Sequence, residues 1–136
     1  METCIFCEII KGGIPSHRVF ETDSVLAFLD IHPTNPGHTI VVPKVHHAAY
    51  SEAPDEVLAD LARTVKQIAP AITQAVSASA WNLIVNNGRD SGQIIFHTHW
   101  HIVPRFADDG FRHWKGKAEY EEQLPQVAEK IRTALG

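Results

Sequence analysis

Phe96-His97-Thr98-His99-Trp100-His101-Ile102-Val103-Pro104-Arg105 sets three histidines at every second position. Successive side chains of a strand point to opposite faces, so the spacing predicts a strand with His97, His99 and His101 on one side. Thr98, Trp100 and Ile102 then cover the other. Imidazole serves as nucleophile, proton carrier or metal ligand near neutral pH, and crowding such rings disfavours charging them all, which keeps a nucleophilic ring neutral. A polar strand face washed by solvent is the plainer alternative, but the flanking apolar residues argue for a built site.

Working outward, Trp81–Asn87 reads as a fourth strand, antiparallel to the histidine strand and joined to it by Gly88-Arg89-Asp90-Ser91-Gly92-Gln93. Upstream, Pro54 to about Ser77 places Leu58, Leu61, Ala62, Val65, Ile68, Ile72 and Val76 at three- and four-residue intervals, the pattern of a long amphipathic helix. Pro70 removes one hydrogen bond inside it, which predicts a kink or break near Gln67 or Ile68. His38–Pro43 reads as a largely apolar, central third strand. Arg18–Glu21 and Ser24–Asp30 form a hairpin about Thr22-Asp23. Ile5, Phe6, Ile9 and Ile10 make a short opening helix stopped by Gly12-Gly13. After Arg105 the chain is irregular until Tyr120–Leu135, a helical pattern interrupted by Pro125.

At 136 residues the chain has the size of one domain. Its formal charge of -4 offers no basic face for a nucleic-acid polymer. The N-terminus lacks a basic segment followed by an apolar core, and no apolar run reaches membrane-spanning length, so a cytoplasmic protein with no membrane partner is expected. The two cysteines stand as Cys4-Ile5-Phe6-Cys7, which is no disulfide framework and points to metal or redox chemistry. Two thiolates make half of a tetrahedral zinc site. A redox pair of thioredoxin type would follow a strand inside a βαβ unit, and only three residues precede Cys4.

A central imidazole such as His99 can attack phosphorus and hold a covalent intermediate. Gly88 and Gly92 allow close backbone approach to a phosphate, with Gln93 and loop N–H groups as donors. An ordinary hairpin turn would also use those glycines.

His97-Thr98-His99-Trp100-His101-Ile102-Val103 resembles the signature of the histidine triad family of nucleotide hydrolases and transferases, with Thr98 as a mildly polar departure. The resemblance extends through Ala27–Ile31, Pro36–Lys44, Val85–Gly88 and Gly92-Gln93, in order over residues 4–105, leaving 106–136 as a variable segment of the same single domain 1–136. It implies an α+β fold: a five-stranded antiparallel sheet with one long helix and a short N-terminal helix, paired in a homodimer into a ten-stranded sheet. It also implies a catalytic set of His99 as nucleophile, His101 on the phosphate, Gln93 and Asn86 helping to hold it, and His38 supporting the triad. Asp30 matches the carboxylate for the ribose hydroxyls, and Phe6, Ile9, Phe28 and Ile31 match the apolar walls of the base site. Core packing would equally account for those four.

The resemblance to a bacterial zinc-containing subgroup implies structural Zn2+ on Cys4, Cys7, His46 and His97, with His47 as the alternative to His46. The implied activity is a nucleotide phosphoramidase or nucleotidyl hydrolase acting on a purine nucleotide through a nucleotidyl-histidine. Dinucleoside polyphosphate hydrolysis uses the same chemistry. A zinc-stabilised nucleotide-binding regulator with weak turnover, or a catalytic zinc held by the triad, are the other readings. Many family members carry Ser or Thr where this chain has Ile94. Losing one charge-assisted hydrogen bond of about 1.5–3 kcal/mol in the transition state predicts a slower enzyme, roughly ten- to over a hundred-fold.

Overall fold

Cys4 opens the first helix, α1 (Ile5–Lys11), by accepting the Cys7 backbone N–H on its sulfur at 3.4 Å, and Gly12 closes it in the left-handed region at φ +87°. The computed structural model describes residues 4–136. The chain continues as the hairpin β1 (Arg18–Glu21) and β2 (Val25–Leu29), where the Thr22 hydroxyl accepts the N–H groups of Ser24 and Val25. Next come β3 (Thr39–Pro43), the long helix α2 (Asp55–Val76), β4 (Ala80–Val85), β5 (Trp100–Arg105) and a C-terminal helix α3 (Leu124–Leu135).

The five strands form one antiparallel sheet in the order β1-β2-β3-β5-β4, the five-stranded antiparallel sheet that the family resemblance implies. Every residue of β3 is buried because both faces of the sheet are covered at its centre. On one face Val41, Val25, Ala27, Trp100 and Ile102 receive Leu61, Val65, Ile68 and Ala69 of α2. On the other, Ile40, Val42, Leu26 and Phe28 receive Phe6 and Ile9 of α1. A fully buried side chain such as Leu61 contributes about 1.5–3 kcal/mol, so the α2 stripe is the main anchor of the sheet.

Helix α2 continues through Pro70 as one helix, without the break that the proline allowed, and two further expectations are corrected. Pro70 and Lys66, whose carbonyl loses its partner, both lie on the exposed side, where water can satisfy that group. Pro125 does not interrupt a helix over Tyr120–Leu135: it stands in the first turn of α3, where its missing N–H costs nothing, and a 3-10 segment over Ala118–Gln123 precedes it. The histidine run is only partly strand, since β5 begins at Trp100. Pairing of β5 with β3 stops at Val41 opposite Trp100. Two residues on, Pro43 has no N–H to extend the ladder. His97, Thr98 and His99 instead form an extended lead-in, tied down where the Thr98 N–H donates to the His47 carbonyl at 2.7 Å.

Among the described residues no helix is long and apolar enough to cross a membrane.

Candidate active site

The alternation survives outside the strand. His97 and His99 pack edge-on against Phe6 with ring centroids 5.9 and 4.9 Å away, and His101 lies 4.9 Å from His99, all on the α1 face. Trp100 and Ile102 are in the α2 core. His38 joins from the head of β3. It follows Gly37, whose φ of +85° favours glycine and where a Cβ would come within a tight 3.1 Å of the Pro104 and Val76 side chains.

Hydrogen bonding assigns the proton on each ring. The Nδ1 of His99 lies 2.7 Å from the His97 carbonyl, which can only accept, so Nδ1 carries the proton and Nε2 keeps its lone pair. The Thr34 N–H donates to His38 Nδ1 at 3.0 Å, so His38 Nε2 is protonated and donates to His101 Nδ1 at 2.9 Å. That leaves the proton of His101 on Nε2. Asp30 stands 3.6 Å from His38 Nε2 through one carboxylate oxygen, and its other oxygen accepts the His32 N–H. One neutral nucleophilic nitrogen and one N–H donor thus sit on neighbouring rings.

Burial keeps them neutral. His101 is pushed down to about 4, first by burial and then by His99 and His38; His99 and His38 are lowered by burial, with Asp30 opposing. The consequence for stability has a definite sign. From pH 6.5 down to about 4 the unfolded chain binds a proton at His101 that the folded chain refuses, so stability is lost as pH falls through that window. The melting midpoint is expected to drop between pH 7 and pH 5, and His101→Gln to flatten that slope. Equal slopes in the two proteins would contradict the assignment.

Most expected site residues converge. Phe6, Ile9 and Phe28 share one buried cluster beside the rings, with Phe6 and Phe28 5.7 Å apart. Asn86 lines a cavity together with His38 and His101. Ile31 lies outside that cluster and is 73% exposed on its loop, open to a ligand. Gln93 is buried and fully engaged, accepting the Gly88 N–H at 2.9 Å and donating to the Ala48 and Ile95 carbonyls at 3.2 and 3.1 Å, so it braces the loop from Gly88 to Gln93. The Ile94 side chain is 87% exposed.

The second cluster comprises Cys4, Cys7, His46 and His97, whose four donor atoms lie within 4.8 Å of one another; His47 is not part of it. A tetrahedron with ligand bonds of about 2.3 Å to sulfur and about 2.0–2.1 Å to nitrogen has S–N edges near 3.5 Å and an N–N edge near 3.3 Å. The observed separations are 3.4 Å for Cys4 Sγ–His97 Nδ1 and Cys7 Sγ–His46 Nδ1, 3.6 Å for Cys7 Sγ–His97 Nδ1 and 3.2 Å for His46 Nδ1–His97 Nδ1. His97 donates Nε2–H to the Pro43 carbonyl at 2.8 Å, which turns the Nδ1 lone pair toward the cluster. The donor set fits zinc.

Sequence reasoning did not find the pin behind the site. The Asp109 carboxylate accepts from Arg105 at 2.7 and 3.1 Å, from the Phe106 and Phe111 N–H groups and from Asn35, while Arg105 also donates to Asn82 and to the Phe111 carbonyl. The Arg105 guanidinium holds the Asp109 carboxyl well below the usual carboxylate range. The Asp-Gly at 109–110 signals a turn, but nothing local announces a partner as distant as Asn35.

A sheet with imidazoles on one face and a long helix on the other defines a histidine-lined α+β domain. The chain belongs to the HIT family, whose HIT domain matches residues 11–108. It is 45% identical to adenosine 5'-monophosphoramidase hnt1 of Schizosaccharomyces pombe, over 76% of this chain and 74% of that one. It is 43% identical to adenylylsulfatase HINT3 of Arabidopsis thaliana, over 78% of this chain and 54% of that one. The crystal structure of a HIT family member from Bacillus subtilis superposes with a TM-score of 0.88 at 42% identity, covering 99% of each chain. A Zn-bound histidine triad family protein from Mycobacterium smegmatis superposes with a TM-score of 0.76 at 33% identity, covering 97% of each.

Proposed function

We propose that the protein is a nucleotidyl hydrolase that cleaves a purine nucleoside monophosphate from an amine or other group on its α-phosphate. The observation that carries this reading is the proton arrangement: His99 Nδ1 is committed to a carbonyl, so its Nε2 lone pair is available for attack, and His101 presents an N–H beside it. The lone pair forms a bond to phosphorus as the bond to the leaving group breaks, and the departing group keeps that electron pair. Water then attacks phosphorus, the P–N bond returns its pair to His99, and the monophosphate is released. The His101 N–H stabilises the negative charge growing on a phosphate oxygen, with His38 holding the ring in its donor tautomer. Asp30 receives the ribose hydroxyls, Phe6, Ile9 and Phe28 cover the base, Asn86 contacts the phosphate, and Gln93 positions the loop N–H groups. Two HIT-family relatives, named as a phosphoramidase and an adenylylsulfatase, support the general class.

The test is incubation with adenosine 5'-phosphoramidate, following AMP release and the intact-protein mass in rapidly quenched samples. Turnover with a transient adenylyl adduct is expected, and absence of AMP release would refute the reading. Ile94, which offers no hydroxyl to the leaving group, favours slow turnover and keeps a nucleotide-binding regulatory role as the second reading.

Cys4, Cys7, His46 and His97 would hold Zn2+, which supplies a structural cross-link between α1 and the lead-in to β5. A homodimer joining two sheets through β4 is also part of the proposal. β4 is a sheet edge that exposes Trp81, Leu83 and Ile84 at 39, 43 and 40%. Leu83→Asp is expected to convert dimer to monomer in analytical ultracentrifugation, and wild-type protein that sediments as a monomer would exclude the pairing.

A further inference from the structure

The cavity that holds His38 and His101 is about 540 Å³, and the segment from Phe111 to Trp114 forms one of its walls. That segment leaves the Asp109 pin at a fixed point, because Phe111 is bonded through its N–H to Asp109 and through its carbonyl to Arg105. Two arginines line the cavity. The Arg105 guanidinium is spent on Asp109, Asn82 and Phe111. Arg112, the next residue after the pin, has no hydrogen-bonding or ion-pair partner among the described residues and stands in the wall as an uncommitted cation beside His113. No carboxylate lines the cavity, although the chain has 16 acidic residues against 12 lysines and arginines. Here the phosphate-handling ring and an unpaired guanidinium line one cavity, with the Asp30 carboxylate 3.6 Å from His38 Nε2.

We infer that Arg112 forms an anionic leaving-group subsite, so that the enzyme selects nucleotides whose α-phosphate is joined to a sulfate or phosphate over those joined to a neutral amine. This rests on the nucleotidyl-hydrolase reading and specifies its substrate class. Attack by His99 breaks the P–O bond to the leaving group, which departs with the electron pair and needs no proton. The guanidinium stabilises the charge that builds on its oxygens, through the planar two-point geometry that suits sulfate and phosphate. An amine leaving group must gain a proton and gains nothing from Arg112.

The test compares kcat/KM for adenosine 5'-phosphosulfate, diadenosine triphosphate and adenosine 5'-phosphoramidate. In Arg112→Ala, the ratio of each anionic substrate to the phosphoramidate is expected to fall about ten-fold. Arg112→Glu should lower it further, and Arg112→Lys should restore most of it, which a purely structural role would not do. A ratio that stays within two-fold overturns the proposal, whether or not all three rates fall together. A fall for diadenosine triphosphate alone also overturns it, because that outcome assigns Arg112 to the second nucleoside and not to charge. Wild-type protein inert toward all three substrates refutes the hydrolase reading itself, and this subsite with it.

Discussion

His99→Ala is expected to lower kcat for adenosine 5'-phosphoramidate by about 10^4-fold or more, with no adenylyl adduct in the quenched protein. The size follows from what the ring does in the proposed reaction. A covalent nucleophile cannot be replaced by water in the same position without losing the two-step path, and removing a group that acts as a unit with its neighbours costs nearly the whole of that unit's contribution. His101 and His38 would remain, since their mutual hydrogen bond and the Thr34 contact do not pass through His99. Folding is a separate matter. His99 is 8% exposed and packs on Phe6 and His101, so the alanine leaves a void with a cost of about 1–3 kcal/mol, comparable to other buried truncations. His99→Asn fills most of that space without an attacking ring nitrogen and should be equally inactive with a smaller drop in melting midpoint. Activity above one per cent of wild type in both variants would remove His99 as the nucleophile. A folded, inactive His99→Asn protein that still binds AMP would separate chemistry from binding.

The strength of this assignment differs along the chain in a way the local chemistry explains. The run Thr39–Pro43 is apolar at nearly every position because both its faces are covered, and the α2 periodicity repeats over 22 residues, so both elements were legible from pattern alone. The histidine alternation was legible too, but its strand was not: β5 starts at Trp100, where its pairing with both β3 and β4 ends, and local spacing carries no word of Pro43 on the neighbouring strand. Gln93 shows the same limit at the site. Its type and position suggest a phosphate donor, whereas its three hydrogen bonds to Gly88, Ala48 and Ile95 arise from loops that only the fold brings together. Ile31 is a wall position by family resemblance alone, and its 73% exposure on a loop has no counterpart in the local pattern. The Asp109 pin joins Asn35 to the turn after β5, a non-local network with no periodic signature.

Loss of the proposed zinc is expected to have the largest effect on stability. Helix α1 has 7 residues, too few to hold itself in water, and its place on the sheet depends on Phe6 and Ile9 together with whatever ties Cys4 and Cys7 to His46 and His97. A zinc site bound a hundred-fold or more above its dissociation constant contributes about 3 kcal/mol or more to the folded state. For a domain of this size that corresponds to a fall of roughly 10 °C or more in melting midpoint. Cys4→Ser with Cys7→Ser should therefore take bound zinc from about one per chain to none and produce that fall, and chelation of the wild-type protein should reproduce it reversibly. Cobalt in place of zinc should give the absorption of a tetrahedral site with thiolate ligands, and the double variant should not. The effect should also reach the nucleotide site. Phe6 lies between the two cysteines in sequence, and its ring packs edge-on against both His97 and His99, so freeing α1 uncovers the proposed nucleophile and base wall together. Weaker AMP binding after zinc removal, and by reciprocity weaker zinc retention without AMP, is the expected pairing. Zinc that stays bound after both serine substitutions would exclude this donor set, and full zinc loss with an unchanged melting midpoint would show that Phe6 and Ile9 alone hold the helix.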